Sequence, residues 1–175
     1  MINENLATIK NSIPSHVTLV AVSKTKPNEL IEEAYSSGQR IFGENKAQEL
    51  KNKAEVLPKD IEWHFIGHLQ RNKVKYIAPH ASLVHSIDSL KLLKEVNKQA
   101  LKNNRIIDCL LQFHIATEES KFGLSLEEAT ELLTSNEFSS LKNIRVVGVM
   151  GMASFINSEE QVRKEFASLK HIFTQ

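Results

Sequence analysis

The sequence predicts an α/β fold with a parallel sheet, and two observations carry that prediction. Six short runs rich in Val, Ile and Phe are spread along the 175-residue chain, and longer stretches with apolar residues at helical spacing lie between them. Strands that alternate with helices imply parallel pairing. Periodicity alone does not separate an open doubly wound sheet from a closed barrel. Six repeats fit the open sheet, whereas a (β/α)₈ barrel needs eight.

The six runs give the predicted strands. In chain order they cover residues 17–22, 40–43, 61–66, 82–87, 106–115 and 144–150. Each run is bounded by polar or turn-forming residues, as expected of strands in this class of fold. Because the chain contains no linker, low-complexity tract or long charge run between them, a single domain over residues 1–175 is expected.

Residues typical of helix ends place the predicted helices between these strands. Pro27 is suited to the first turn of a helix that ends at Gly38. Asp88 is the predicted N-cap of a helix over residues 89–104. Residues in the C-terminal third of the chain predict two more helices. Ser125 and Glu128 have the spacing of a capping box before a helix over residues 126–135, and the last helix begins at Asn157 or Ser158.

Composition excludes several classes of protein. The formal net charge is +1, which gives no strong field for nucleic acid, and the 41% hydrophobic content is ordinary for a globular protein. The N-terminal residues lack the apolar core of a signal peptide, and no apolar run approaches the roughly 20 residues that span a bilayer. We expect a soluble cytoplasmic protein with neither a nucleic-acid nor a membrane partner. The single cysteine, Cys109, lies in an apolar run, which favours a buried strand residue over a reactive thiol.

Lys24 is the main candidate for chemistry. Ligands of parallel α/β folds bind at the carboxyl ends of the strands, and Lys24 follows the first predicted strand directly. A lysine fixed there can lose its solvent and act as an amine nucleophile. For this residue taken alone, an ordinary lysine that reaches into solvent is the commoner case, so both interpretations stay open.

Other polar residues follow the second and third strands. Asn45 can bind a ligand or cap the next helix, and capping is the more frequent role. Residues 70–73 form a basic helix start that suits a phosphate or simply faces solvent. His64 and His68 straddle a strand end and a loop without a carboxylate as third ligand, so no metal site is predicted.

Three motifs at these positions, taken together, resemble the pyridoxal phosphate homeostasis proteins. They are AVSKTKP at residues 21–27, FGEN at 42–45 and WHFIGHLQRNK at 63–73. The looser stretches ESKFG at 119–123 and GVM at 148–150 also match. The resemblance extends over essentially the whole chain.

The resemblance implies a (β/α)₈ TIM-type barrel like the N-terminal domain of alanine racemase, with pyridoxal 5′-phosphate as cofactor. Lys24 matches the lysine that carries the cofactor as a Schiff base, and Asn45 and Met150 match positions near it. The implied role is the homeostasis of intracellular pyridoxal phosphate (vitamin B6) and amino-acid pools, without established catalytic turnover. A monomer is expected for the full-length protein.

Two departures from the family pattern stand out. Lys46 occupies a position where the family usually has tyrosine, and the chain ends at Gln175 before the last two strands of the family's barrel. We therefore expect about six of the eight β/α units, in a domain that is incomplete at its C-terminus.

A racemase-like enzyme that uses the same cofactor is the alternative function. Racemisation needs an acid or base on each face of the substrate's α-carbon. Lys24 supplies one, but the two tyrosines, Tyr35 and Tyr76, both lie in helical stretches. The sequence therefore favours a cofactor-binding protein without catalytic turnover.

Overall fold

The computed structural model describes residues 1–117 and 122–175, which form a six-stranded parallel sheet with helices packed against it. The strands are β1 (Ala21–Val22), β2 (Ile41–Glu44), β3 (Glu62–Phe65), β4 (Ala81–Ile87), β5 (Ile107–Phe113) and β6 (Ile144–Gly151). The helices are α1 (Ile2–Ser12), α2 (Asn28–Ser36), α3 (Ala47–Val56), α4 (Val74–Ile77, preceded by a 3₁₀ turn at Arg71–Lys73), α5 (Leu90–Lys102), α6 (Leu126–Thr134), α7 (Asn136–Ser139) and α8 (Glu159–Thr174).

The order of the strands decides between the two predicted architectures. Each strand pairs in parallel with the strand before it in the chain, so the order is β1-β2-β3-β4-β5-β6. A doubly wound sheet reverses its order at a switch point, whereas a barrel adds successive strands around one axis. The fold is therefore of the barrel type, and the open-sheet alternative is wrong.

The two faces of the sheet differ in chemistry. On the face toward the helices, the Phe42 and Trp63 rings lie 6.1 Å apart and both are buried. Cys109 is fully buried on β5, and burial raises the pKa of its thiol to about 12, as expected of an inert strand residue. On the opposite face Val22 pairs with Gly43, and Gly43 pairs with His64. This second face contains His64, whereas Glu44, two residues beyond Phe42, lies on the face toward the helices.

The first strand is shorter than predicted. It covers Ala21–Val22 instead of residues 17–22, and it pairs with β2. The Gln39 side chain explains the difference, because its Nε2 donates to the carbonyl oxygens of Leu19 (2.9 Å) and Ile41 (2.7 Å). The Gln39 side-chain amide thus pairs the Leu19 carbonyl, which a longer β1 strand would instead pair with β2.

The helix boundaries confirm most of the predicted caps and correct one. Ser125 and Glu128 form the capping box before α6, and Ser158 caps α8. The N-cap of α5 is Ser89, whose Oγ accepts from the amide of Leu92, so the prediction of Asp88 was wrong. Asp88 instead lies 3.8 Å from the His68 ring.

Gly38 follows α2 at φ +86°, the left-handed conformation that a helix end of this kind requires. Across the described ranges, 1–117 and 122–175, no helix is both long enough and apolar enough to cross a membrane.

Candidate functional site

The candidate site lies where the parallel strands end. Since all six strands run in the same direction, the segments that follow β1, β2, β3 and β4 meet at one edge of the sheet. Lys24 lies two residues beyond Val22 and continues, by strand alternation, the face that contains Gly43 and His64. The sequence prediction that Lys24 stands at the carboxyl edge is consistent with this geometry.

Lys24 itself belongs to a tight turn. The amide of Lys26 donates to the carbonyl oxygen of Ser23 at 3.0 Å, which closes the turn around Lys24 and Thr25. Thr25 has φ +63°, a strained conformation for a β-branched residue. Ser23 is buried, whereas the Lys24 side chain is exposed, as is common for a lysine at a strand end. The turn extends the lysine beyond the packed end of the strand.

A buried cluster of ionic groups, which we call the Lys53 cluster (Ser23, Glu44, Glu49 and Lys53), lies against this turn. Lys53 Nζ contacts Glu44 Oε1 at 2.8 Å, Glu49 Oε1 at 2.7 Å and the carbonyl oxygen of Ser23 at 2.8 Å. Ser23 Oγ donates to Glu44 Oε1 at 2.6 Å. The cluster joins the end of β1, the end of β2 and helix α3.

The same cluster reaches the strained residue. Glu49 Oε1 accepts from the amide of Thr25 at 2.7 Å. Burial raises the pKa of the Glu49 carboxyl, but the hydrogen bonds from Lys53 and Thr25 outweigh it and the pKa is lowered overall. Glu49 is thus an anion that holds the backbone next to Lys24.

Three buried side-chain oxygens mark the site as polar and incompletely bonded. Within the described residues, Glu44 Oε2, Asn45 Oδ1 and Ser86 Oγ have no hydrogen-bond partner. All three residues are at the carboxyl ends of β2 or β4. Buried polar atoms are almost always paired, so unpaired ones indicate a place for a water or a ligand. Glu44 belongs to the Lys53 cluster on the helix side, whereas Asn45 directly follows β2 at the carboxyl edge, so its unpaired oxygen indicates a place for a ligand.

The structure revises the role of Asn45. Helix α3 begins at Ala47 with Lys46 in the cap position and no side-chain cap, so the prediction that Asn45 caps the helix was wrong. Gly67 packs against Asn45 so closely that an added Cβ would lie 2.6 Å from the Asn45 carbonyl oxygen. The close approach fixes Asn45 at the edge of the sheet, beside the end of β3, with its Oδ1 unpaired.

Met150 lies on β6, at the other end of the strand order from β1, and pairs with Gln112. Lys24 and Asn45 thus follow the neighbouring strands β1 and β2, and Met150 lies near the carboxyl end of β6. The motif at 119–123 falls largely on residues 118–121, which lie outside the described residues.

A histidine pair is the feature that the sequence reasoning missed. His85 Nε2 and His64 Nδ1 are 3.0 Å apart on the adjacent strands β4 and β3. Burial, followed by the charge of His85, lowers the pKa of His64 to about 4, and burial lowers that of His85. Both rings are therefore neutral at pH 7, and one donates a hydrogen bond to the other. The sequence analysis considered His64 together with His68, but the His68 ring stacks on Phe122 at 4.3 Å.

A second buried carboxylate holds the loops after β5 and β6. Glu165 of α8 accepts from the amide of Ser154 at 2.7 Å and from its hydroxyl at 2.8 Å. Ser154 Oγ in turn accepts from the amide of Thr117 at 3.1 Å. The hydrogen bond from the Ser154 amide is the main reason that the pKa of Glu165 falls to about 2, although burial opposes it.

The fold and the site define a class of protein. The family model for the N-terminal domain of alanine racemase matches residues 1–175. Among solved structures, alanine racemase from Bartonella henselae superposes with a TM-score of 0.76 at 16% identity, covering 99% of this chain and 48% of the racemase. At this level of identity, the likeness shows only that the two proteins share a fold.

More similar relatives specify the family. A pyridoxal phosphate homeostasis protein of Aquifex aeolicus is 40% identical over 156 residues, which is 88% of this chain and 67% of the relative. The structure of PipY from Synechococcus elongatus, with PLP bound, has a TM-score of 0.87 and 31% identity and covers 99% of this chain and 81% of PipY. The chain belongs to the pyridoxal phosphate homeostasis protein family.

Proposed function

We propose that this chain binds pyridoxal 5′-phosphate through a covalent bond to Lys24 Nζ and acts in the homeostasis of that cofactor. The observation that carries the proposal is the position of Lys24 at the carboxyl edge of the sheet, beside buried polar atoms that have no partner. When bound, the cofactor supplies an aldehyde that bonds reversibly to primary amines. A family member of similar sequence has been solved with PLP bound, which supports the same ligand here.

The unpaired side chains fit such a ligand. The amide of Asn45 and the hydroxyl of Ser86 can each donate to, or accept from, the oxygen and nitrogen atoms of a substituted pyridine. We assign Asn45 to hydrogen bonding with the cofactor and Met150 to apolar contact with it. Lys24 is exposed, so the incoming aldehyde can reach its amine without a change in the fold.

The positions of the tyrosines favour a role in holding the cofactor over racemisation. Tyr35 Oη lies 2.7 Å from Asp60 Oδ1, and the Arg40 guanidinium stacks on the Tyr35 ring at 3.9 Å. Asp60 and Arg40 immediately precede β3 and β2, so Tyr35 is at the amino edge of the sheet, opposite Lys24. Tyr76 is in α4, shortly before β4 begins. Neither tyrosine is placed as a second base.

Borohydride trapping tests the proposal. The protein is incubated with pyridoxal phosphate, reduced, digested and mapped by mass spectrometry, with Lys24→Ala and Lys26→Ala as a matched pair. We expect the adduct on Lys24, its complete loss in Lys24→Ala, and only weakened capture in Lys26→Ala. An adduct found mainly on Lys26 would refute the assignment.

A further inference from the structure

The Lys53 cluster has a geometry that a simple surface ion pair lacks. The Lys53 side chain is 7% exposed and that of Glu44 is 0% exposed. An ammonium group has three N–H donors, and Lys53 directs them to Glu44, Glu49 and the carbonyl oxygen of Ser23. All three donors are therefore used, in a tripod that the planar guanidinium of arginine does not reproduce.

The cluster holds the turn on both sides of Lys24. On one side, Lys53 binds the Ser23 carbonyl and Glu44 accepts from the Ser23 hydroxyl. On the other side, Glu49 accepts from the amide of Thr25. A β-branched residue leaves a φ of +63° unless its surroundings maintain it, because that conformation is strained. The bond to Glu49 supplies that restraint at the residue next to Lys24.

We propose that Lys53 and Glu49 are positioning residues that present Lys24, in preference to Lys26, to the cofactor. This inference rests on the proposed function. Lys24 and Lys26 are both exposed and only two residues apart, so a flexible turn would offer either amine. The left-handed conformation at Thr25 reverses the chain, so Lys24 continues the strand face while Lys26 leads into α2 at Asn28.

The test measures the ratio of Lys24 to Lys26 adducts after trapping with limiting pyridoxal phosphate. Glu49→Ala removes the acceptor for Thr25. The variant retains the buried Lys53–Glu44 pair, because Glu44 is a separate partner of Lys53. Glu55→Ala is the matched control, since Glu55 pairs with Lys51 at 3.6 Å on the same helix, in exposed positions. We expect the ratio to fall about tenfold in Glu49→Ala and to stay unchanged in Glu55→Ala, a tenfold change being equivalent to about 1.4 kcal/mol.

A second labelling reaction separates positioning from general loosening of the turn. Acetic anhydride modifies accessible amines without needing a defined approach, so the Lys24-to-Lys26 acetylation ratio of the cofactor-free protein reports the general reactivity of the two amines. We expect Glu49→Ala to leave this ratio unchanged while it alters the cofactor ratio. Lys53→Arg should lower the cofactor ratio in the same direction, because its guanidinium cannot fill the tripod.

The outcomes distinguish the two proposals. If the wild-type protein labels Lys24 and Glu49→Ala keeps the wild-type cofactor ratio, the positioning role is overturned and the proposed function stands. If both ratios change together, the cluster only stabilises the turn and the positioning role is again refuted. If the wild-type protein forms no adduct on Lys24, the proposed function fails first.

Discussion

Two regions of this molecule hold loops at the same edge of the sheet by different means. After β1 and β2, the Lys53 cluster combines one ammonium with two carboxylates in a buried site. After β5 and β6, Glu165 binds its loop through neutral donors, the amide and hydroxyl of Ser154. The first arrangement depends on Lys53, because its ammonium is shared by both carboxylates. The second depends on a single charge, and its neutral partners tolerate the loss of it better.

The first prediction tests the ionic region at its centre. Lys53→Met leaves the Glu44 carboxylate buried without its cation, and losing one partner of a buried pair costs about 3–5 kcal/mol. We expect a fall of that size in the free energy of unfolding measured by urea denaturation. The control is Lys51→Met on the same helix, which breaks an exposed pair and should change stability by about 1 kcal/mol or less. Equal losses in the two variants would mean that burial of the cluster has no energetic consequence.

The second prediction concerns the His64–His85 pair, which lies on the strands between the two regions, and the effect of acid on the stability of the fold. The pKa of His64 in the fold is about 4 against an ordinary value of 6.5, so the unfolded chain binds the proton more readily. The stability that the neutral His64 ring contributes is therefore fully present above pH 6.5 and is lost as the pH falls toward 4. We expect the free energy of unfolding to fall by about 2–3 kcal/mol. This is less than the free energy equivalent to the whole pKa difference, because solvent reaches part of the pair.

Denaturation curves across this pH range check the prediction, with His64→Asn as the test variant. The variant should lose less stability than the wild-type protein between pH 6.5 and pH 4. His16→Asn, at an exposed loop histidine, is the control and should follow the wild-type curve. A His64→Asn curve parallel to the wild-type curve would count against a neutral buried pair.

The third and smallest prediction concerns Glu165. Its pKa in the fold is about 2 against an ordinary value of 4.5, so the stabilisation that the ionised carboxylate supplies is present above pH 4.5 and is lost as the pH falls toward 2. Glu165→Gln keeps the shape and one acceptor, so the variant should be less stable at pH 7, by less than Lys53→Met. Thermal melts at pH 7 and pH 3 should show the gap between wild type and variant narrowing in acid. A constant gap would assign the effect to shape instead of charge.

The regular parts of the fold could be predicted from the sequence because they follow from local chemistry. The β5 and β6 runs and the Ser125–Glu128 capping box depend on residues close together in the chain, and the structure confirms them. The helix α1 was not predicted, although Ile2, Leu6 and Ile9 have helical spacing, and Leu6 is its buried residue. The barrel-type strand order came from the resemblance to a family, since periodicity does not encode which strands are neighbours.

The candidate site was predictable only where a motif marked it. Lys24 was found from its place at a strand end, but the cluster that holds its turn depends on Lys53, 30 positions beyond Ser23 in the chain. Nothing in the local sequence of α3 indicates that Lys53 is buried while Lys51 is only partly so, until the helix is oriented against β2. The His64–His85 contact is equally non-local, since it requires the pairing of β3 with β4.

The contact between His64 and His85 has a consequence for spectroscopy. A ring N–H that is engaged with a second imidazole and shielded by burial exchanges slowly with water, so it gives a resolved downfield proton resonance. Because His64 lies on the same sheet face as Gly43, we expect a ligand bound at the carboxyl edge to change the ring currents and polarity around this proton. The sheet thus contains a natural NMR reporter, readable without a label, for the arrival of a ligand at the carboxyl edge.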